Sequence, residues 1–131
     1  GFKVIEKFLE AIVINDLSDQ PKCFVSFELF EHLHDPENFL SKLNGLMQQN
    51  DIFIFTTLSG TGLDIQVLWE NSPSVSPPHH LNFLNPYSIK ILLENTGFQC
   101  VSLYTPGKLD IDIEFFPNFC CSIEFIISPK K

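Results

Sequence analysis

Two carboxylates and an imidazole stand close together directly after an apolar stretch of the chain. Glu28, Glu31 and His32 follow residues 23–27, Cys-Phe-Val-Ser-Phe, a run that is typical of a buried β-strand. In open α/β sheets, ligands bind at the carboxyl ends of the strands, so polar groups collected there indicate a functional site. Carboxylate oxygens together with an imidazole suit Mg²⁺ or Mn²⁺. The alternative is that these side chains bond to backbone groups of the turn.

Two further histidines, His79 and His80, lie in a long irregular segment, residues 58–85, which contains several glycines and prolines. Segments of this length without regular structure are usually binding loops or lids. The ordinary pKa of an imidazole, about 6.5, allows either ring to act as a general base toward a substrate hydroxyl. The alternative is that both are solvated side chains of an exposed loop.

The elements that would position these side chains alternate between strands and helices. Residues 22–27 and 52–57 are predicted strands, and between them Asp35 and Pro36 begin a helix that extends to about residue 49. This succession predicts a right-handed βαβ unit. The remaining predicted elements are a strand at 11–14, a helical piece at 64–70, a helix from 86 that stops at Gly97, and strands at 98–104 and 121–127. The pattern predicts a single α/β domain over residues 1–131.

Size and charge narrow the functional classes. A chain of 131 residues can bury one modest core, and no apolar run approaches the ~20 residues that a membrane helix needs. The net charge of −8, with eight basic residues that form no stripe, argues against a nucleic-acid partner and favours a small molecule. The cysteines Cys23, Cys100, Cys120 and Cys121 lack CxxC spacing, so we predict reduced thiols in a cytoplasmic protein.

Several stretches, in order, resemble the class I S-adenosylmethionine-dependent methyltransferases. They are residues 25–33 (VSFELFEHL), the Asp35-Pro36 pair, 55–57 (FTT), 77–83 (PPHHLNF), 92–98 (LLENTGF) and 105–110 (TPGKLD). Each stretch is weak alone, but their order over roughly residues 11–127 makes the resemblance specific. It implies a Rossmann-like sheet that is mostly parallel, with an antiparallel last strand, and S-adenosylmethionine as the cofactor.

The resemblance also implies roles for particular residues. Asp16 would accept a hydrogen bond from the adenine amino group, and Leu17 would pack on the adenine ring. Ser26 and Phe27 would lie beside the methionine part of the cofactor. The alternative for Asp16 is that it caps its own turn, as Asp readily does, and Ser26 and Phe27 need no role beyond the core.

The Glu-x-x-Glu-His spacing is similar to the metal site of small-RNA 3′-terminal 2′-O-methyltransferases and to ubiquinone-biosynthesis O-methyltransferases. This similarity implies that Glu28, Glu31, His32 and His80, or His79 in place of His80, hold a Mg²⁺ ion. In such enzymes the metal binds the substrate hydroxyl and favours its deprotonation. The alternative is that the motif has only a structural role in the turn between strand and helix.

The chain departs from the family at its Gly-rich, cofactor-binding turn, because Gly1 is the only glycine before Gly45. The resemblance therefore implies a partial domain without the first two strands, in which the strand at 23–27 lies at an apolar edge. Such an edge pairs readily with another chain, so we expect self-association or a partner chain there. We also expect no methylation by the chain alone.

Three functions follow from these observations. The first is methyl transfer to an oxygen or carbon of a small molecule or glycan precursor. The second is a non-catalytic interaction or dimerisation module derived from a methyltransferase. The third is a metal-dependent hydrolase that uses Glu28, Glu31, His32 and His80.

Overall fold

The computed structural model describes residues 4–104 and 122–130. In chain order its strands and α-helices are β1 (Cys23–Ser26), α1 (Pro36–Leu46), β2 (Ile52–Leu58), α2 (Leu63–Leu68), α3 (Pro86–Asn95), β3 (Phe98–Tyr104) and β4 (Ser122–Pro129). In the part of the chain so described, no helix is long and apolar enough to cross a membrane. Residues 110–114 (DIDIE), in which acidic and apolar residues alternate, lie outside the described residues, as do Cys120 and Cys121.

The four strands form one sheet in the order β1-β2-β4-β3. β1 pairs with β2 in parallel, whereas β4 runs antiparallel to both β2 and β3. The strands β1, β2 and β3 therefore point the same way, and their carboxyl ends share one edge of the molecule. The predicted α/β sheet, mostly parallel with an antiparallel last strand, is confirmed.

The strand predicted at residues 11–14 is wrong. Two 3₁₀ turns, Leu9–Ala11 and Ile14–Asp16, occupy this region instead. Apolar residues alone do not make a strand, because its N–H and C=O groups need a neighbouring ladder. Here the backbone bonds locally: the N–H of Ala11 donates to Phe8 O at 3.0 Å, and that of Asp16 donates to Val13 O at 2.9 Å.

The helix starts follow their capping residues. The Asp35 side chain accepts from the N–H of Asn38 at 2.9 Å, with Pro36 in the first turn of α1. The Asn85 side chain caps α3 in the same way. Gly97 adopts φ +83° directly after α3, a conformation that favours glycine, so the predicted stop is confirmed.

The core lies on one face of the sheet, under α1 and α3. Phe30, from the turn after β1, stacks on Phe55 of β2 with ring centroids 4.5 Å apart. The buried residues of this cluster are Phe30, Leu40, Leu43, Met47, Phe53, Phe55, Ile89, Leu93, Phe98 and Ile127. This packing fixes the turn between β1 and α1 against the central strand.

The opposite face of the sheet, which we call the outer face, carries an apolar row. Val25 pairs with Ile54, and Ile54 pairs with Ile126, so the three lie side by side across β1, β2 and β4. Because side chains alternate along a strand, these residues point away from the Phe53 and Phe55 side of the sheet. Val25 remains 52% exposed. Sheets built from parallel strands normally have both faces covered, whereas among the described residues this apolar row is covered only in part.

A buried ion pair joins the starts of β1 and β2. The fully buried Asp51 carboxylate accepts from the backbone N–H groups of Lys22, at 2.7 Å, and Gln48, at 2.8 Å. The Lys22 ammonium lies 3.1 Å from Asp51 Oδ2 and also donates to the carbonyls of Ser18 and Gln20. Although burial alone raises the pKa of Asp51, these donors lower it below its ordinary value.

Replacing Asp51 by Asn is expected to lower the free energy of unfolding by about 3 kcal/mol near neutral pH, because the Lys22 ammonium loses its buried partner. Since the folded-state pKa is depressed, the wild-type advantage is complete above the ordinary carboxyl pKa of about 3.9 and disappears as the pH falls through the folded-state value. Urea unfolding at a series of pH values measures this difference. Asp19→Asn, which removes an exposed carboxylate nearby, is the control. Equal losses in the two variants would contradict the prediction.

Candidate functional site

The turn after β1 is held in an unusual conformation by Thr56 of β2. Glu28 has φ +48°, in the left-handed region that costs a residue with a side chain about 1 kcal/mol or more. The Glu28 N–H donates to both the carbonyl and the hydroxyl oxygen of Thr56, each at 3.1 Å. The Thr56 hydroxyl in turn donates to Glu28 Oε1 at 2.6 Å. The backbone and side chain of Glu28 therefore both stabilise the conformation of this turn.

Glu31 points into the protein. Only 2% of the residue is exposed, and its Oε2 accepts from the Thr57 hydroxyl at 3.0 Å. Burial raises the pKa of this carboxyl group, and the nearby charge of Glu28 acts in the same direction. The Glu31 backbone carbonyl accepts from the N–H groups of Leu81, at 2.6 Å, and Asn82, at 3.2 Å.

The long segment after β2 folds back over this turn. The Asn82 side chain donates to the carbonyls of Phe30 and Leu33, on either side of Glu31. The Gly60 N–H donates to Leu84 O at 2.8 Å. These bonds hold the segment against the carboxyl ends of β1 and β2.

The loop brings two of the predicted histidines together. The rings of His32 and His80 lie with centroids 5.0 Å apart. His32 Nδ1 is 2.7 Å from the carbonyl oxygen of His79, and His80 Nδ1 is 2.6 Å from that of Ser74. A carbonyl oxygen only accepts, so each Nδ1 carries a hydrogen and the Nε2 of each neutral ring is left as a base. The His79 side chain is exposed, and the residue contributes its carbonyl to the pair.

The predicted metal ligands do not assemble. Within residues 4–104 and 122–130, no group of three or more His, Cys, Asp or Glu side chains is arranged to hold a metal ion. One oxygen of each carboxylate, Glu28 Oε1 and Glu31 Oε2, accepts instead from a threonine hydroxyl, which fixes both side chains at the turn. The described geometry thus agrees with the alternative that the motif shapes the turn, and it gives no support to Mg²⁺.

The predicted adenine-binding residues lie on the 3₁₀ turns before β1. Asp16 Oδ2 accepts from the N–H of Val13 at 3.1 Å and forms an ion pair with Lys7 at 2.7 Å. Leu17 is half-buried beside it. The side chain thus caps its own turn, and a contact of Asp16 or Leu17 with an adenine ring stays a prediction.

Ser26 carries an unsatisfied polar atom at the carboxyl end of β1. Its Oγ is buried and, among the residues that the structure describes, has no hydrogen-bond partner. A buried hydroxyl left unpaired is costly, and such a group next to a binding crevice is explained by a missing ligand or water. Phe27 follows with 64% of its surface exposed, and is not a core residue. A contact of Ser26 or Phe27 with the methionine part of the predicted cofactor stays a prediction.

Sequence reasoning missed a buried polar cluster beside the histidines. Asp64, at the start of α2, is 3% exposed, and its Oδ2 accepts from the hydroxyls of Ser72 and Ser74. The only signal in the sequence is one acidic residue ahead of a serine-rich stretch, which is also the composition of ordinary loops.

A cavity of about 500 Å³ lies at the other end of the sheet. Its lining residues are Gln49, Asn50, Gln99, Ser128, Pro129 and Lys130. They belong to the amino-terminal ends of β2 and β3 and to the end of β4. This is the end opposite to the crevice in which α/β sheets bind ligands, and none of the predicted site residues reaches it.

Comparison with known proteins identifies the family. A sequence profile described as "Methyltransferase domain" matches residues 3–103. The chain belongs to the methyltransferase domain family. The predicted resemblance to class I S-adenosylmethionine-dependent methyltransferases is therefore confirmed. No curated protein matches the chain.

Solved structures show the same fold at low sequence identity. A SAM-dependent methyltransferase from Archaeoglobus fulgidus is 16% identical with a TM-score of 0.64, and the match covers 97% of this chain and 67% of that one. The magnesium protoporphyrin IX methyltransferase ChlM from Synechocystis PCC 6803, solved with bound SAH, is 13% identical with a TM-score of 0.58 and coverages of 91% and 49%. A chain in the complex between the Haloferax volcanii Trm112 methyltransferase activator and a putative methyltransferase is 14% identical with a TM-score of 0.59. The match covers 83% of this chain and 54% of that one. This methyltransferase domain thus spans about half the length of the last two chains.

Gly60 is the point at which β2 meets the returning loop, and it tolerates no side chain. A Cβ at this position would overlap the backbone carbonyl of Phe83. Gly60→Ala is therefore expected to lower the free energy of unfolding by about 2 kcal/mol and to detach the loop that carries the histidines. In Gly45→Ala, the control, the new methyl group meets nothing within 4 Å in α1, and a gain of up to about 1 kcal/mol is expected. Thermal or urea unfolding measures both, and equal effects would contradict the prediction.

Proposed function

We propose that this methyltransferase domain forms the acceptor-binding side of a site that transfers a methyl group from S-adenosylmethionine to a small molecule or glycan precursor. The observation that carries the proposal is the paired imidazoles of His32 and His80 at the carboxyl ends of β1 and β2. The net charge of −8 supports a small acceptor over a nucleic acid.

His80 is the proposed general base. Its Nδ1–H is held by the Ser74 carbonyl, so the neutral ring presents Nε2 to take the proton of a substrate hydroxyl. His79 lies next to it but uses its carbonyl to hold His32, and it is the second choice. A base of this kind favours transfer to oxygen over transfer to carbon. Catalysis in this class otherwise depends on placing the acceptor in line with the methyl group.

Ser26, Phe27, Asp16 and Leu17 are the proposed cofactor contacts. The unpaired Ser26 hydroxyl supports this role, because a polar group of the cofactor would satisfy it. Bound S-adenosylmethionine would supply an activated methyl group attached to sulfur. The residues of this chain would orient it and keep water from the acceptor oxygen.

A second polypeptide segment is proposed to complete the site. Residues 2–44 contain no glycine, so they supply no Gly-rich turn to the cofactor site. Among the described residues β1 pairs only with β2, and its other edge and the outer face remain open. One of the similar structures is a complex that contains a methyltransferase activator, which supports assembly with a partner. By itself the chain is proposed to be inactive.

The open edge also supports a second candidate function, a non-catalytic interaction module. Val25 is 52% exposed on the outer face, and Phe27 is 64% exposed at the end of the same strand. An apolar edge strand with unpaired backbone groups associates readily. In this case the domain would retain the methyltransferase fold as a scaffold and would need no cofactor.

Isothermal titration with S-adenosylhomocysteine separates these functions. Purified monomer is expected to bind no detectable ligand up to about 1 mM, since residues 2–44 supply no Gly-rich turn, whereas an assembly with a partner chain that supplies this turn is expected to bind. Ser26→Val should weaken binding by the assembly, and Ser41→Val, an exposed site on α1, should not. Low-micromolar binding by the monomer would overturn the need for a second segment. A folded assembly that binds nothing would favour the interaction module.

Sedimentation over a range of protein concentrations tests the open edge. We expect the wild-type chain to self-associate through β1 and Val25→Lys to remain monomeric, because a lysine on an edge strand opposes pairing. Val101→Lys is the matched control, since Val101 is 62% exposed on β3 at the other edge of the sheet. A wild-type chain that stays monomeric would contradict self-association. If Val25→Lys and Val101→Lys change the association equally, β1 is not the edge through which the chain associates.

A further inference from the structure

A continuous series of hydrogen bonds leads from a buried carboxylate to the proposed base. Asp64 Oδ2 accepts from the Ser72 hydroxyl at 2.7 Å and from the Ser74 hydroxyl at 2.5 Å. The carbonyl of the same Ser74 holds His80 Nδ1 at 2.6 Å. The ring of His80 in turn lies against that of His32.

The direction of each bond is fixed by the chemistry of Asp64. An ionised carboxylate only accepts, so both serine hydroxyls must donate to it. The Ser72 oxygen is then left to accept from the Ser74 N–H, at 3.1 Å. Ser74 therefore uses its N–H, hydroxyl and carbonyl in three different bonds, and it is 5% exposed. The N–H and hydroxyl bonds fix the position of Ser74, whose carbonyl lies against His80 Nδ1.

The carboxylate has no compensating cation in the part of the chain that the structure describes. The ion pairs found there involve Asp16 and Asp51. A buried carboxylate held only by hydroxyl groups is an expensive arrangement for a loop that merely connects β2 to α3. Such cost is commonly found where a side chain must be held for function.

We propose that Asp64 is a positioning residue for His80. Through Ser74 it would orient the imidazole and keep the hydrogen on Nδ1, so that Nε2 is the basic atom presented to the acceptor. This inference rests on the proposed function in assigning a base role to His80. The arrangement of Asp64, Ser74 and His80 itself needs no cofactor.

Nitrogen NMR of histidine-labelled protein, at about pH 8 where neutral rings dominate, tests the proposal without substrate or cofactor. His80 is expected to be in the Nδ1–H form in the wild type. In Asp64→Asn and in Ser74→Ala its ring nitrogens should shift toward those of the exposed His34, while His34 itself stays unchanged. Asp19→Asn, an exposed Asp, is the matched control and should leave His80 as in the wild type.

Backbone amide spectra show which variants are folded. If Asp64→Asn fails to fold, Ser74→Ala decides, because it keeps the buried carboxylate and its Ser72 donor. Wild-type nitrogen shifts for His80 in a folded variant would overturn the positioning role. A folded assembly that fails to bind S-adenosylhomocysteine would instead count against the proposed function and would leave the NMR expectation unaffected.

Discussion

The buried pair between Asp51 and Lys22 is the interaction on which the arrangement of the site depends. It connects the end of α1, the start of β1 and the start of β2, because one carboxylate accepts from two backbone N–H groups and an ammonium group. The parallel register of β1 and β2 begins there, with Cys23 opposite Ile52. At the other end of these strands the same register brings Thr56 and Thr57 beside the turn that carries Glu28 and Glu31.

The histidine and glutamate side chains of the site are held by hydrogen bonds to uncharged groups. Backbone carbonyls of the loop hold both imidazoles, and threonine hydroxyls hold both glutamates. At the exposed His32 and the half-buried His80, a carbonyl oxygen holds Nδ1–H and Nε2 is the basic atom, an arrangement that suits the removal of a proton from a substrate oxygen. It suits a hard divalent cation poorly, since the carboxylates that would bind the ion are already engaged.

The sequence predicted correctly those elements whose formation depends on residues close to one another in the chain. The cap of α1 at Asp35 and the stop at Gly97 follow from the backbone needs of a helix end, and the apolar strand at residues 52–57 was found within one residue. The strand at 11–14 was not predictable from its composition, because a strand exists only where a neighbour supplies its ladder. The inward direction of Glu31 and the burial of Asp64 depend on contacts with distant residues, and the sequence pattern carries no record of them.

The insertion of β4 between β2 and β3 has a consequence for biosynthesis. Each of these two strands bonds to β4, although β4 follows both of them in the sequence. Until Ser122–Pro129 emerges, the nascent chain can form the β1–α1–β2 unit but cannot join it to α3 and β3 in one sheet. The ladder that connects β2 to β3 is therefore completed only after β4 has been synthesised, although the side chains of β2, α3 and β3 share one core.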